Sequence, residues 1–159
     1  MAGSDGNREL REMADRVALA ELMHRYALAI DSADFEALRA VFDADATVDF
    51  GSVGHYVEGA SGVAGIDAIL GWLRAALAPF PDVLHFMSNH VIDLDGDLAR
   101  VRTYMHVMHM SMGGVYDAQA VRTPAGWRIR RFRLDERRFD EAAERLRAHM
   151  SRVDAEGGA

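Results

Sequence analysis

Ile30-Asp31-Ser32-Ala33-Asp34-Phe35-Glu36-Ala37-Leu38-Arg39, set within the run from Tyr26 to Phe50, is the stretch on which the reading of this chain turns. Upstream of it, apolar residues recur at Met13, Val17, Ala20, Met23 or His24, Ala27 and Ile30, a helical stripe over Glu12 to Ile30. That helix should break at Ser32-Ala33-Asp34, where Asp34 or Ser32 caps a second short helix, Phe35 to Phe42, carrying Phe35, Leu38, Val41 and Phe42. A polar turn at Asp43-Ala44-Asp45 then leads into an alternating strand, Thr47 to Phe50. Asp31 thus stands at the end of a core-facing helix, where a carboxylate is costly to bury unless something pairs with it. The candidate partner is a histidine far downstream, His85, and the two together would form an acid/base dyad.

Working outward, Gly51 to Gly54 reads as a turn into a short strand around His55 to Glu58. Gly59, Gly62 and Gly65 mark a loop that would form a flexible lip, and Ile66 to Ala78 reads as a third helix ended by Pro79 and Pro81. Four strand-like runs follow: Val83 to Leu94, Leu98 to Met110, Val115 to Arg122 and Trp127 to Asp135. They are separated by Asp95-Gly96-Asp97, a break at Gly113-Gly114, and Pro124-Ala125-Gly126. Aspartate-glycine between alternating runs is a hairpin signal, so an antiparallel meander is expected. Arg138 to Val153 returns to helical spacing with Phe139, Ala142 or Ala143, Leu146 and Met150, either a lid or a packing surface. Helices followed by a long antiparallel sheet make an α+β fold. One domain over residues 1–159 is expected, with its core at about 10–140 and its last helix at about 138–153.

Composition narrows the function classes. The chain has 159 residues, is half hydrophobic, and carries 18 basic against 25 acidic side chains for a net charge of −7, which disfavours nucleic acid as a partner. Arg128, Arg130, Arg131, Arg133, Arg137 and Arg138 crowd one stretch, read as a solvated strand edge and helix start. Without cysteine there is neither disulfide nor thiol chemistry, which fits a reducing cytoplasm. No apolar run reaches membrane-spanning length, and Met1 to Leu10 is polar rather than signal-like, so a cytoplasmic protein without membrane contact is expected. His106 and His109 fall on opposite strand faces, as do His85 and His90, so no metal is expected. The glycines lack the setting of a phosphate or dinucleotide loop, so no cofactor is expected either.

The order of elements resembles the nuclear transport factor two-like cone, and the residues resemble its SnoaL-like branch. Ile30 to Arg39, Thr47-Val48-Asp49-Phe50 and Leu84-His85-Phe86 resemble scytalone dehydratase. His85-Phe86-Met87-Ser88-Asn89 also resembles lindane dehydrochlorinase, and bile-acid dehydratases share the scaffold. The similarity spans roughly residues 10 to 140. It implies a cone-shaped α+β barrel with a pocket, Asp31 and His85 as the catalytic pair, and a trimer or dimer. Where scytalone dehydratase has carbonyl-polarising tyrosines this chain has Ile30 and Phe50, and a second pocket histidine falls on Met105. Those departures count against scytalone as substrate and leave the proton-transfer pair intact.

An imidazole ordinarily titrates near 6.5 and can accept a proton at cellular pH, while a carboxylate on its other nitrogen fixes the tautomer and stabilises the imidazolium. Strand alternation expects Asn89 on the His85 face and Phe86, Ser88 and His90 on the other; it leaves Met105 inward by resemblance, with His109 near the mouth. Tyr104 and His106 would face a subunit interface. Tyr116, beside Ala118 and Ala120, is the preferred hydrogen-bond donor, with Tyr26 and Tyr56 behind it. Met105, Met108, Met110 and Met112, with Phe50, Ile30, Leu84 and Trp72, indicate a hydrophobic ligand. The resulting expectation is a cofactor-independent lyase of dehydratase type, acting on a small hydrophobic or polycyclic molecule. Its alternatives are an isomerase or cyclase using the same base, and a non-catalytic binding protein.

Overall fold

A computed structural model describes residues 2–53, 59–108, 112–138 and 144–150. Two helices lead, α1 (Ala2–Asp31) and α2 (Phe35–Val41), and a further helix, α3 (Ile66–Leu77), follows the first two strands. The strands are β1 (Phe42–Asp49), β2 (Val63–Ala64), β3 (His85–Asp95), β4 (Leu98–Val107), β5 (Met112–Thr123) and β6 (Gly126–Arg138). They form one curled, unclosed sheet in the order β2-β1-β6-β5-β4-β3. The meander β3 to β6 is antiparallel as the hairpin signals require, whereas β1 runs parallel to β6. The core lies between the helices and one face of the sheet. Leu19, Met23 and Tyr26 of α1 and Leu38 of α2 meet Val101 and Met105 of β4, Ala118 of β5, and Ile129 and Phe132 of β6. Each such aliphatic or aromatic side chain contributes about 1.5–3 kcal/mol by leaving water.

The end of α1 is built with care for its exposed carbonyls. Asp34 N–H donates to Ala29 C=O at 2.9 Å and Ala33 N–H to Ile30 C=O at 3.1 Å, the paired bonds of a Schellman cap. The left-handed position of that cap, φ +53°, is held by Ala33, where glycine would be unstrained. Asp34 at once begins α2, accepting from Ala37 N–H at 2.9 Å. This back-to-back arrangement reverses the chain within three residues and leaves Asp31 as the last helical residue.

Several expected boundaries move, each for an identifiable reason. Asp43-Ala44-Asp45 lies inside β1 rather than in a turn: Phe42 pairs with Ile129 and Thr47 with Arg131, so these residues form a bulge in which Asp43 Oδ1 accepts from Asp45 N–H at 3.1 Å. Gly113 and Gly114 sit within β5, because β6 approaches so closely that a Cβ at 114 would lie 2.5 Å from the Asp135 carbonyl oxygen. Part of the expected glycine lip is the short strand β2, paired with β1. The arginine run lies on β6, which is flanked by β1 and β5 and is therefore no edge; Arg130, Arg131, Arg133 and Arg137 are solvated on its outer face. The expected strand at His55 to Glu58 falls outside the described residues. On α1, Met13 and Val17 are exposed, so the core stripe begins only at Leu19. Residues 144–150 are helical and exposed, Leu146 and Met150 included. Among the described residues no helix is long and apolar enough to cross a membrane.

Candidate active site

Asp31 and His85 meet. The cap at the end of α1 aims the Asp31 carboxylate at the first residue of β3, where Oδ2 accepts from the His85 backbone N–H at 2.9 Å and Oδ1 contacts Nδ1 of the ring at 2.6 Å. One carboxylate therefore fixes both the backbone and the ring of the same histidine. Of the two ring nitrogens, Asp31 contacts Nδ1 alone. The two side chains retain only 7% and 11% of their exposure for His85 and Asp31 respectively, so the contact sits in a medium of low polarity.

His85 also lines a cavity of about 110 Å³, which Asp31 itself does not touch. Tyr26 and Ile30 of α1 and Phe50, just beyond β1, form one side; Trp72, Leu73 and Leu77 of α3 form another. Met105 and Val107 of β4, Met112 and Tyr116 of β5 and Leu134 of β6 supply the sheet wall, and Phe80 and Val83 close the end next to His85. The lining is almost wholly apolar, with an aromatic cluster at its base: Tyr116 stacks on Phe132 with ring centroids 4.5 Å apart, and Tyr26 meets Tyr116 edge-on at 5.5 Å.

Among the described lining residues, the two phenols are the main polar groups besides the histidine. Burial pushes the Tyr116 hydroxyl up to about 12; a side-chain hydrogen bond from Tyr26 works in the opposite direction, and the charge of Asp31 adds to the rise. Tyr26 is raised well above the usual phenol range, chiefly by burial, with further contributions from Tyr116 and from Asp31. Both hydroxyls therefore stay protonated near neutral pH; Tyr26 spends its hydrogen on Tyr116, which leaves the Tyr116 O–H as the donor a ligand would meet.

Of the residues expected at the site, Tyr26, Phe50, Met105 and Tyr116 gather around the cavity with His85. Asn89 does not. A bulge between Ser88 and Val91 leaves Asn89 exposed at φ +55° and reverses the alternation, so that His90 turns inward instead, its Nε2 2.9 Å from His24 Nε2 on α1. Tyr56 and His109 lie outside the described residues. Leu84 is exposed, and of the clustered methionines Met105 and Met112 reach the cavity. Val107 lies on the expected inward face with Met105, and the sequence reading missed Val53, Leu73, Ala76, Leu77, Phe80, Val83 and Leu134. Leu73 and Leu77 are spaced four apart on α3, an available signal for one inward helix face.

Comparison with known proteins identifies the fold and the family. The model of the SnoaL-like domain matches residues 11–133. The chain belongs to the SnoaL-like family. It is 33% identical over 131 residues to an uncharacterized protein of Mycobacterium tuberculosis (strain ATCC 25618 / H37Rv), covering 74% of this chain and 82% of that one. Among solved structures it is similar to the Kfla4162 protein from Kribbella flavida, at 28% identity and a TM-score of 0.70 over 79% of this chain and 92% of the other. It also shares its fold with LinA, at 16% identity and a TM-score of 0.69 over 81% and 90% of the two chains. The SnoaL-like family, of nuclear transport factor two-like fold, includes enzymes such as scytalone dehydratase and the dehydrochlorinase LinA.

Proposed function

We propose that the protein is a cofactor-independent lyase in which His85, backed by Asp31, removes a proton from a small apolar substrate that then expels a leaving group. One observation carries this reading: the ring whose Nδ1 is held by Asp31 at 2.6 Å also lines an apolar cavity, which leaves Nε2 as the nitrogen a ligand would meet. A buried histidine serving only packing would have no use for that opening.

In this mechanism the Nε2 lone pair takes a proton from an acidic C–H, and the C–H electron pair becomes the new double bond as the bond to the leaving group breaks. If hydroxide departs, the imidazolium returns the proton to it and water leaves. Asp31 stabilises the imidazolium by charge and holds the ring in one tautomer. Tyr116, with Tyr26 behind it, offers a neutral donor to an oxyanion developing on the substrate, in surroundings where burial keeps both phenols protonated. The substrate reading follows the walls: a mainly hydrocarbon molecule with one polar function.

The base itself is tested without naming the substrate. Exchange of the acidic C–H hydrogens of cyclohex-2-enone in D₂O, followed by proton NMR, should be accelerated by the protein and lose that acceleration in His85→Gln. Equal acceleration by the variant would overturn the base assignment, and binding without exchange in the native protein would favour a binding protein. If exchange occurs, product analysis on substrates with a leaving group separates elimination from isomerisation or cyclisation.

A further inference from the structure

We infer that the site selects single-ring molecules, and that Phe80 is the residue that sets the limit. This rests on the reading of the apolar cavity as the substrate site. The cavity holds about 110 Å³. A dry protein cavity of roughly 150 Å³ accommodates benzene, so the space beside His85, which is open at its mouth, suits about one six-membered ring with substituents directed outward. A fused-ring skeleton does not fit without displacing a wall, which narrows the polycyclic option to a monocyclic one.

Only some walls have anywhere to go. Tyr26, Tyr116 and Met105 are backed by packed core. The end wall differs: Ile30, Leu77, Phe80 and Val83 line the cavity on one side and, on the other, a surface cleft of about 280 Å³ that also reaches Asp31 and Arg74. The partition between cavity and cleft is thus built from these four side chains. Phe80 is the largest of them and is 39% exposed, so its ring faces both spaces.

The segment that carries Phe80 is stiff. Pro79 and Pro81 bracket it and fix their own φ angles, while Ala78 before Pro79 keeps a helical conformation at φ −51°, ψ −36°. The Phe80 N–H donates to the Leu77 carbonyl at 2.8 Å, which ties the turn to the end of α3. A ring mounted this way is a fixed stop. Removing it joins the cavity to the cleft while leaving His85, Asp31 and both phenols in place.

Calorimetric titration of the full chain with 4-methylphenol and with 2-naphthol tests the limit, since the two carry the same hydroxyl and differ by a ring. The native protein should bind 4-methylphenol at least about tenfold more tightly, the order of discrimination a shaped apolar pocket achieves, although buried area alone would favour 2-naphthol. Phe80→Ala should reverse the order, with 2-naphthol gaining about tenfold or more. Phe80→Leu, which keeps an apolar side chain in the turn, should move the ratio the same way by less and covers the case in which the alanine variant fails to fold. If the native protein binds 2-naphthol as well as 4-methylphenol, or if neither Phe80 variant changes the ratio, the size limit is wrong and the proton-transfer reading stands. If neither phenol binds, both the limit and the cavity as substrate site are wrong.

Discussion

Helix α1 carries two carboxylates, Asp15 and Asp31, that reach across to the sheet, and their partners make them opposites. Asp15 receives a two-point contact from Arg122 at 2.8 and 2.6 Å and a third bond from Trp127 Nε1 at 3.1 Å. Arg122 lies over the Trp127 ring at 4.4 Å and also engages Asp97. Both oxygens are occupied by permanent donors, so the middle of α1 is clamped with nothing left to react. Asp31 has as partner a histidine, whose proton can come and go, and it holds only one of the two ring nitrogens. The difference lies in the partner: a guanidinium stays charged at every relevant pH and fixes a helix to a sheet, whereas an imidazole in the same contact can serve as the base of the proposed mechanism. The surroundings follow suit, since Arg122 is partly solvated while His85 opens on an apolar cavity.

Removing the partner at each of the two positions should show this at once. Replacing His85 with alanine should cut the catalysed exchange by about 10²–10⁴-fold, the range for a positioned general base, and Asp31→Asn should fall in the same range. Arg122→Ala should leave exchange within about twofold while lowering unfolding free energy by about 1–2 kcal/mol, a figure held down by the partial exposure of the pair. Paired urea melts and exchange assays on these variants check both halves. Loss of exchange in Arg122→Ala would break the division between clamp and base.

Acid provides a second, smaller separation. The Arg122 hydrogen bond, aided by that from Trp127, holds the Asp15 carboxyl below its ordinary value of 3.8 against the opposing effect of burial. A carboxylate depressed in the folded state contributes stability that is present above its unfolded pKa and is lost as pH falls through the folded value. The stability gap between the native protein and Asp15→Asn should therefore be flat from about pH 5 to 7 and close below about pH 3.8. Urea melts across that range test it, and a gap that persisted at pH 2 would mean that packing rather than charge holds this contact.

The dyad was legible because helix periodicity, a break and a buried-carboxylate argument converged on Asp31, although His85 was singled out only with the help of a family resemblance. Alternation put Tyr116 on the same strand face as Ala118 and Ala120, all three buried, whereas the inward face of β4 with Met105 was chosen by resemblance. What failed depended on backbone events with no local signature. Alternation from His85 placed Asn89 inward, and a single bulge with Asn89 at φ +55° reversed every position after it. The partnership of β1 with β6, more than eighty residues apart and parallel, has no short-range cause in either strand, so the central position of the arginine-rich β6 was hidden. Gly113-Gly114 looked like a turn because close approach of a neighbouring strand demands the same residue type. Phe80 was missed because two prolines read as a helix terminator, and the ring between them acquires its role only from the cavity it closes.

The smallest predicted effect tests whether the strain beside the dyad matters to it. Ala33 occupies the left-handed position of the cap that ends α1, two residues past Asp31, at a cost of about 1–2 kcal/mol relative to an unstrained conformation. Glycine there removes the strain but gives the unfolded chain more freedom, so Ala33→Gly should stabilise by only about 0.5–1 kcal/mol. The hydrogen bonds of Asp34 and Ala33 to the helix end do not involve the Ala33 side chain, and Asp31 is held separately by two contacts to His85. Exchange should consequently be unchanged in the variant while its urea midpoint rises. A fall in exchange alongside the gain in stability would show that the alanine restricts where the carboxylate points, and the strain would then belong to the base rather than to the fold.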